Sequence, residues 1–475
     1  MTGLVIVANR LPVEVSADGS TSASPGGLAS ALSSITAEGA HWVGWAGPAA
    51  GRRPAFDYGN MQLHPVSLSK LDIERYYAGF ANSILWPLFH GRLRTVDMNR
   101  VWWRSYKLVN QQFAEAVAKI APLGATVWVH DYHLLLAPAI IRSKRPDLRI
   151  GFFLHIPFPN AQLFASLPWR RELITGMLGA DLLGFQVPED VANFEASAER
   201  VLDTQLAGRA ARRRLRSVVI DSFPISVDYG HWEELGARAE AAAEDLRAEL
   251  GVDHVFLGID RLDYTKGIVQ RLTAFGELLD EGLLESADCA FVQVAVPSRS
   301  DIAAYQDERA EVEMLVSRIN TRHARPDRSV PVVHIDGSLD EERLAAWYRA
   351  ADTLVVTSLS DGMNLVAKEF VAARGDLRGS LVLSEFTGAA ADLEGAIIVN
   401  PFDVDAIRQA LLTAVSMTVT EQADRLKTMR ASVHDRDVHS WARRFLSRLR
   451  SITRGRVADS PVRPVISAAV IGKLP

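Results

Sequence analysis

The chain has 475 residues, of which 48% are hydrophobic and 23% charged; this is ordinary globular composition and excludes wholesale disorder. Its 52 basic and 57 acidic residues give a net charge of −5, so no overall surplus of positive charge points to nucleic acid. The one cysteine, Cys289, cannot form an internal disulfide, and no apolar run reaches the roughly 18 residues of a membrane span. We therefore expect a cytoplasmic protein that binds neither nucleic acid nor membranes.

Short apolar or β-branched runs alternate with longer amphipathic stretches along most of the chain, a pattern typical of parallel βαβ units. The predicted strands are Leu4–Ala8, Thr126–Val129, Ile150–Leu154, Leu182–Phe185, Val218–Ser222, Val255–Ile259, Ala290–Val296, Val332–Ile335, Thr353–Val356, Ser380–Leu383 and Ala396–Val399. The predicted helices include Val109–Ile120, Glu233–Leu250, Ile268–Leu279 and Asp340–Ala350. One open sheet with this many strands would be unusually large, so the pattern favours an α/β fold with two doubly wound domains.

The domain boundary is predicted close to residue 225, where Pro224 follows a strand and precedes an Ala-, Glu- and Arg-rich helix. We expect one domain over residues 1–225 and another over 226–454. Residues 455–475 are rich in Pro, Ser and Val without period and are expected to form a disordered tail. The five arginines of Arg209–Arg216 favour a solvated helix end or hairpin flank over a polyanion site.

In the first half, polar and aromatic residues follow predicted strands. Arg10 ends the first strand, and Gly26 and Gly27 form a turn expected to open a helix and contact phosphate or sugar, although such pairs occur in many loops. Tyr77 and Trp86 are suited either to a sugar pocket wall or to the core.

Two histidine-containing segments also end predicted strands. His130, Asp131 and His133 have weak metal-ligand spacing, and a sugar hydroxyl is a better motivated partner for Asp131. His155 precedes two prolines that stiffen its loop, and either a structural or a functional role fits it.

In the second half, cations follow two strands. Arg261 and Lys266 stand between a predicted strand and a predicted helix, where they either clamp a diphosphate or form a surface salt-bridge turn. Arg299 follows the next strand and suits an anionic substrate group.

The segment Ser358–Glu369 again has strand, turn and helix signals. Asp361 and Gly362 predict a tight turn, and Asn364 and Leu365 open the helix with amides facing the ligand crevice. Glu369, one helical turn later, could grip paired ribose hydroxyls; the alternatives are an ordinary helix cap and a solvated glutamate.

Several common catalytic motifs do not occur in the sequence. It contains no Gly-x-x-x-x-Gly-Lys-Ser/Thr loop, no Gly-x-Ser-x-Gly elbow, and no Gly-x-Gly-x-x-Gly after the first strand. This argues against a P-loop ATPase, a serine hydrolase and a standard dehydrogenase.

Taken together, the motifs resemble those of the trehalose-6-phosphate synthases, retaining glucosyltransferases of the GT-B fold with two Rossmann-like domains facing a central cleft. The resemblance runs from Val5 to about Arg450. It is carried by Val5–Arg10, Gly26–Leu28, Trp42–Trp45, Tyr76–Tyr77, Leu85–Pro87, His130–His133, Phe153–Pro159, Arg261–Gly267, Val296–Arg299 and Asp361–Glu369.

The resemblance implies transfer of glucose from a nucleoside-diphosphate glucose to glucose 6-phosphate with retention. Because no segment clearly supplies the carboxylate nucleophile that double displacement requires, we expect a front-face reaction without a covalent enzyme intermediate. The resemblance also implies an acceptor site in the first domain, a donor site in the second, and a last helix that crosses back to the first. The implied acceptor residues are Arg10, Tyr77, Trp86, Asp131 and Arg299. The implied donor residues are Gly26, Gly27, His155, Arg261, Lys266, Leu339, Asp361, Gly362, Met363, Asn364, Leu365, Val366 and Glu369. Those assigned to catalysis are Arg261, Lys266, His155 and Asp361.

The resemblance implies no cofactor and no metal, and leaves the donor open among UDP-, GDP- and ADP-glucose. Relatives are commonly dimers or tetramers. Two alternatives remain: a pseudo-glycosyltransferase that couples cyclitols, and a non-catalytic nucleotide-sugar sensor.

Overall fold

The computed structural model describes residues 3–16, 20–23, 32, 39–47, 51, 53–92, 96–202, 217–299, 302–323 and 330–452. These divide into two compact units: unit 1 runs to Phe223 and resumes at Ala442, and unit 2 is Pro224–Trp441. Gly26, Gly27, the cluster Arg209–Arg216 and the predicted tail 455–475 lie outside the described residues. Within the described ranges, no helix has the length and apolar character needed to cross a bilayer.

Unit 1 is built on a sheet whose described strands run in the order β10-β9-β8-β7-β1-β4-β6-β5. Neighbouring strands are parallel except the antiparallel pair β5–β6. β2 and β3 form a separate antiparallel pair. The strands are β1 Leu4–Arg10, β2 Val13–Val15, β3 Thr21–Ala23, β4 Ala40–Trp45, β5 Phe56–Tyr58, β6 Met61–Pro65, β7 Thr126–His130, β8 Arg149–Phe153, β9 Leu182–Phe185 and β10 Val219–Ser222.

The helical segments of unit 1 pack against this sheet, and its central strands are accordingly mostly apolar. They begin with Lys70–Asp72, the π-helix Ile73–Leu85 and Trp86–Phe89. The following helices are α1 Arg100–Ile120, α2 Ala137–Lys144, α3 Ala161–Phe164, α4 Arg170–Met177 and α5 Pro188–Leu202. A short 3₁₀ turn, Tyr132–Leu134, follows β7.

Unit 2 contains a sheet of described strands in the order β13-β12-β11-β14-β15-β16, all parallel. The strands are β11 His254–Arg261, β12 Cys289–Val296, β13 Val332–Asp336, β14 Thr353–Val356, β15 Ser380–Ser384 and β16 Ile397–Val399. The helices are α6 Tyr229–Arg238, α7 Glu240–Leu250, α8 Ile268–Asp280, α9 Ala303–His323, α10 Glu341–Ala350, α11 Leu365–Ala373, α12 Val404–Ser416, α13 Val419–Asp435 and α14 Val438–Ser451; residues of α14 from Ala442 belong to unit 1. A 3₁₀ turn spans Gly388–Ala391. Buried apolar side chains of β11, β12, α8, α9 and α12 form one core.

All the predicted strands are confirmed, but two predicted helices need correction. The stretch Glu233–Leu250 is two helices, α6 and α7, because the backbone leaves the α-helical region at Ala239 (φ −84°, ψ 2°). Helix α1 begins at Arg100, earlier than the predicted Val109, because the Asn99 side chain accepts hydrogen bonds from Val101 N and Trp102 N. The strands β2–β6 were not predicted, and several are too short for periodicity to reveal them.

Candidate active site

In unit 1, Arg10 lies at the carboxyl end of β1 among aromatic rings. Its guanidinium carbon is 4.9 Å from the centre of the Trp45 ring and 5.6 Å from that of Tyr77, and it forms an ion pair with Glu14. The rings supply a flat surface that orients a cation without neutralising it. Arg10 is therefore a half-buried cation at the strand end where the resemblance implied an acceptor residue.

The π-helix Ile73–Leu85 carries Tyr77 into this region. Its ring stacks on His133 with a centroid distance of 5.8 Å and an interplanar angle of 12°. Trp86, just after the π-helix, is 5% exposed and packs on His90 and Tyr132. Most of the Trp86 ring is thus core, and only a small part of its surface is accessible.

Asp131 directly follows β7 and has a backbone conformation that non-glycine residues seldom adopt, with φ at 74°. Its carboxylate accepts a hydrogen bond from His155 N at 3.2 Å and lies 3.9 Å from His133 Nδ1. A residue held in such a conformation by its surroundings is often functional. The structure thus brings together three of the predicted strand-end residues, Asp131, His133 and His155.

His155 and His130 share a hydrogen bond between their rings at 3.1 Å. Burial lowers the pKa of His155 to about 3, and burial together with the nearby His155 lowers that of His130 well below its ordinary value. Both rings are therefore neutral at physiological pH, which fits His155 for hydrogen bonding to a neutral sugar. No group of three or more His, Cys, Asp or Glu suited to a metal ion occurs among the residues that the structure covers.

In unit 2, two cations follow neighbouring parallel strands. Arg261 is the last residue of β11 and pairs in register with Val296, the last of β12; Arg299 comes three residues later. Both guanidinium groups face the buried carboxylate of Asp263, at 3.7 Å from Arg261 and 3.6 Å from Arg299. Sequence reasoning predicted both arginines but missed this carboxylate, although it stands in the same loop.

Lys266 forms the closest ion pair of this region, with its Nζ 2.5 Å from Asp361 Oδ2. The same oxygen accepts hydrogen bonds from Ser358 Oγ at 3.3 Å and Asn364 Nδ2 at 3.1 Å. Arg261 thus ends β11, and Lys266 and Asp361 stand in the loops after β11 and β14, two strands that are adjacent in the sheet. Ligands of open parallel sheets bind at this end of the strands.

Helix α11 starts as the sequence predicted, with a special conformation at its cap. Asn364 has φ at 75°, and its side-chain oxygen accepts a hydrogen bond from Ala367 N at 3.0 Å. The backbone before it is tightly placed, because a Cβ on Gly388 would lie 2.2 Å from Gly362 O. Gly362, Met363, Leu365 and Val366 accordingly surround a rigid helix N-terminus, a geometry that favours anions.

Glu369 is held by a residue that sequence reasoning missed. The buried Tyr348 donates a hydrogen bond to its carboxylate at 2.7 Å, and burial raises the pKa of Glu369 to about 7. Leu339 lies apart from this pair in chain position, in the loop between β13 and α10, and is half-buried. Tyr348 carries no local motif that would have marked it.

The residues assigned to each substrate are divided between the units. Arg10, Tyr77, Trp86, Asp131 and the donor residue His155 belong to unit 1, whereas the acceptor residue Arg299 and the described remainder of the donor set belong to unit 2.

A sequence model of one enzyme family, glycosyltransferase family 20, matches residues 2–451. The chain belongs to glycosyltransferase family 20. The predicted family, the enzyme class and the α/β fold of two Rossmann-like domains are confirmed by this match and by the relatives that follow.

Two similar proteins are both named trehalose-6-phosphate synthase. The chain is 45% identical over 482 residues to the trehalose-6-phosphate synthase of Mycobacterium sp. strain KMS, covering 97% of this chain and 96% of the relative. It is 43% identical over 479 residues to that of Mycolicibacterium smegmatis, covering 96% and 94%.

Two solved structures resemble the chain over most of its length. An α,α-trehalose-phosphate synthase (UDP-forming) from Burkholderia xenovorans, in complex with glucose 6-phosphate, has a TM-score of 0.86 at 33% identity and covers 94% of this chain and 99% of that one. A trehalose-6-phosphate protein of E. coli bound with UDP-2-fluoroglucose has a TM-score of 0.85 at 33% identity and covers 95% and 99%.

Proposed function

We propose that the chain is a trehalose-6-phosphate synthase, which transfers glucose from a nucleoside-diphosphate glucose to glucose 6-phosphate with retention and releases the nucleoside diphosphate. The observation that carries this proposal is the pair of cations at the end of β11 and in the loop after it, Arg261 and Lys266, beside the N-terminus of α11. Such an arrangement suits a diphosphate that gains negative charge as its bond to glucose breaks. The family and the relatives named above supply the sugar chemistry.

The donor is assigned to residues 226–454 and its diphosphate to Arg261 and Lys266. The helix N-terminus at Asn364 and Leu365 meets the phosphates through its backbone, and Glu369 receives the ribose hydroxyls. Leu339, Gly362, Met363 and Val366 complete the described donor set of this unit, with Gly26, Gly27 and His155 from residues 1–225.

The acceptor is assigned to residues 1–225 with one contribution from the other unit. Arg10, Tyr77 and Arg299 hold the 6-phosphate, since arginine matches phosphate geometry and a tyrosine hydroxyl adds a donor. Asp131 accepts a hydrogen bond from a sugar hydroxyl, and the exposed part of Trp86 contacts the ring.

The chemistry follows from where charge develops. The bond between the anomeric carbon and the phosphate oxygen breaks, the acceptor's anomeric hydroxyl attacks from the same face, and its proton passes to the departing phosphate oxygen. Asp361 binds Lys266 and Asn364 and is thereby placed to hold rather than to attack the sugar. The neutral His155 orients the donor glucose by hydrogen bonding.

The test is a donor panel. The purified chain is incubated with glucose 6-phosphate and UDP-, GDP- or ADP-glucose in turn, disaccharide phosphate is followed by mass, and the linkage is read from its NMR couplings. We expect α,α-trehalose 6-phosphate with at least one donor. Donor binding without nucleoside-diphosphate release would favour a sensor, and product only with cyclitol substrates would favour the pseudo-glycosyltransferase; either outcome overturns the proposal.

A further inference from the structure

Asp263, which the proposed chemistry does not use, lies beside two of the proposed substrate-binding arginines. It follows β11 by two residues, and its side chain has 0% exposed surface. Its Oδ2 atom is the one that faces both cations, at 3.7 Å from Arg261 and 3.6 Å from Arg299. A single carboxylate oxygen is therefore common to both arginines.

The other oxygen fixes the carboxylate to its own loop. Asp263 Oδ1 accepts hydrogen bonds from Thr265 N at 3.1 Å and from Thr265 Oγ1 at 3.0 Å. On the side of Oδ2, the Tyr305 hydroxyl donates at 3.4 Å and in turn accepts a hydrogen bond from Arg299. These hydrogen bonds fix the orientation of the carboxylate. The fixed carboxylate in turn restricts the positions of the two guanidinium groups that face it.

Asp263 carries its negative charge although it is buried. Burial by itself would raise its pKa, but Arg261, Arg299 and Lys266 outweigh this effect and leave the pKa below its ordinary value. The arginines follow paired strands and repel each other, and a shared carboxylate offsets that repulsion.

Arg299 depends on this support more than most surface arginines do. Its backbone has φ at 49°, a strained value for a residue with a Cβ, and its side chain is only 7% exposed. Strain of this kind persists only where the surroundings hold it. Asp263 and Tyr305 are two of the groups that contact the Arg299 side chain.

We propose that Asp263 is a positioning residue shared by the two substrates: it orients Arg261 for the donor diphosphate and Arg299 for the acceptor phosphate. The inference rests on the proposed function. Its consequence is specific, since removal of either arginine should weaken one ligand, whereas removal of the shared carboxylate should weaken both.

The experiment is a pair of double-mutant cycles read by calorimetry, in which two ligands are titrated separately into the full chain. One is glucose 6-phosphate, and the other is UDP, replaced by GDP or ADP if the donor panel selects that base. We expect Asp263→Asn to weaken each ligand about tenfold, the scale typical of coupled charged neighbours. In an Arg261→Ala background the same change should no longer affect UDP, and in an Arg299→Ala background it should no longer affect glucose 6-phosphate.

Tyr305→Phe provides a second variant that keeps the carboxylate. Because the Tyr305 hydroxyl contacts Arg299 and Asp263, we expect it to weaken glucose 6-phosphate severalfold and to leave UDP affinity unchanged. If Asp263→Asn does not fold, Tyr305→Phe still tests whether this network positions Arg299 for the acceptor phosphate. Unchanged glucose 6-phosphate affinity in Tyr305→Phe would then overturn the proposal.

Asp352→Asn is the matched control. This carboxylate in the same unit also binds an arginine, Arg247 at 2.7 Å, and accepts a backbone N–H, that of Val255, but at the amino end of the strands. It should leave both affinities unchanged. A shared role is rejected if Asp263→Asn lowers the affinity for one ligand only, or if the losses in both cycles are additive. A wild-type chain that binds both ligands without forming product rejects the proposed function instead.

Discussion

Lys266 shows how a buried cation is prepared for a charged ligand. Its side chain is 10% exposed, and the 2.5 Å ion pair with Asp361 compensates for the lost hydration. In the proposed reaction, a preorganised cation would need no reorganisation when negative charge grows on the leaving diphosphate, and its contribution to the rate would therefore be large.

We therefore expect Lys266→Ala to lower kcat by about 10²–10³, the scale found when one donor to a developing anion is removed. Initial rates with saturating donor and acceptor measure this. Lys427→Ala, which removes an exposed lysine paired with Asp424, is the control and should leave kcat unchanged. Turnover of folded Lys266→Ala within a fewfold of the parent would contradict the assigned role.

His155 makes the stability of unit 1 depend on pH. Its pKa is about 3 in the folded chain, below the ordinary 6.5, so the unfolded chain takes up a proton that the folded chain does not. Its contribution to stability is therefore present above pH 6.5 and is lost as the pH falls toward 3.

Between pH 7 and pH 5, we expect the wild-type chain to lose about 2 kcal/mol more unfolding free energy than His155→Asn. Urea unfolding at the two pH values measures the difference. The variant should retain some acid sensitivity, because the pKa of His130 is lowered in the same direction. Parallel pH profiles for the two proteins would show that His155 titrates normally in the folded state.

At the scale of elements, the turn between β11 and α8 is where backbone geometry decides the site. Gly267 has φ at +62°, and a Cβ there would lie 2.0 Å from Thr357 O in the loop after β14. Thr357 Oγ1 also donates a hydrogen bond to Gly267 O at 2.8 Å. Only glycine permits this close approach, which sets the position of the neighbouring Lys266.

Gly267→Ala should therefore lower the unfolding free energy by about 3 kcal/mol, which is more than the conformational preference for glycine alone would cost. It should also reduce turnover. Gly251→Ala is the matched control, since Gly251 has φ at +59° but its added Cβ would meet nothing closer than 3.9 Å. It should cost about 1 kcal/mol and leave turnover intact. Equal losses for the two variants, measured by urea unfolding and initial rates, would refute the steric argument.

On the scale of the whole molecule, unit 1 is completed by residues from the far end of the chain. Phe445 of α14 is buried against Trp128, at a ring distance of 4.6 Å, and Gly151 and Gly184 leave room for its ring. A Cβ on either glycine would approach Phe445 to 2.7 Å. The core of unit 1 thus requires the part of α14 that follows unit 2 in the sequence.

Phe445→Ala should destabilise unit 1 by about 3–5 kcal/mol, since it leaves a cavity under the central strands. Chemical unfolding followed by tryptophan fluorescence reports this loss. Leu108→Ala, which trims an exposed leucine on α1, should change the unfolding free energy by about 0.5 kcal/mol or less. A small effect of Phe445→Ala would mean that α14 is not part of this core.

Much of the architecture could be predicted from local pattern. Apolar runs revealed the main strands, because a strand buried on both sheet faces must be apolar throughout. Arg10, Arg261 and Arg299 stood out because each ends or follows such a run. Within each parallel sheet, the carboxyl ends of the strands lie at the same edge, where ligands bind. The split of α6 from α7 at Ala239 carries a weaker signal: the nearest glycine, Gly236, lies inside α6, where it permits close packing against Ala373.

The sequence by itself determined the family, the strand-rich α/β pattern and the cations at strand ends, because these depend on residue type and short-range order. Only the tertiary structure decided which carboxylate each cation meets. Asp361 lies far from Lys266 along the chain, and Tyr305 reaches Asp263 from a helix beyond the next strand. Such pairings depend on strand order, register and loop conformation, which bring distant residues together and leave no local trace in the sequence.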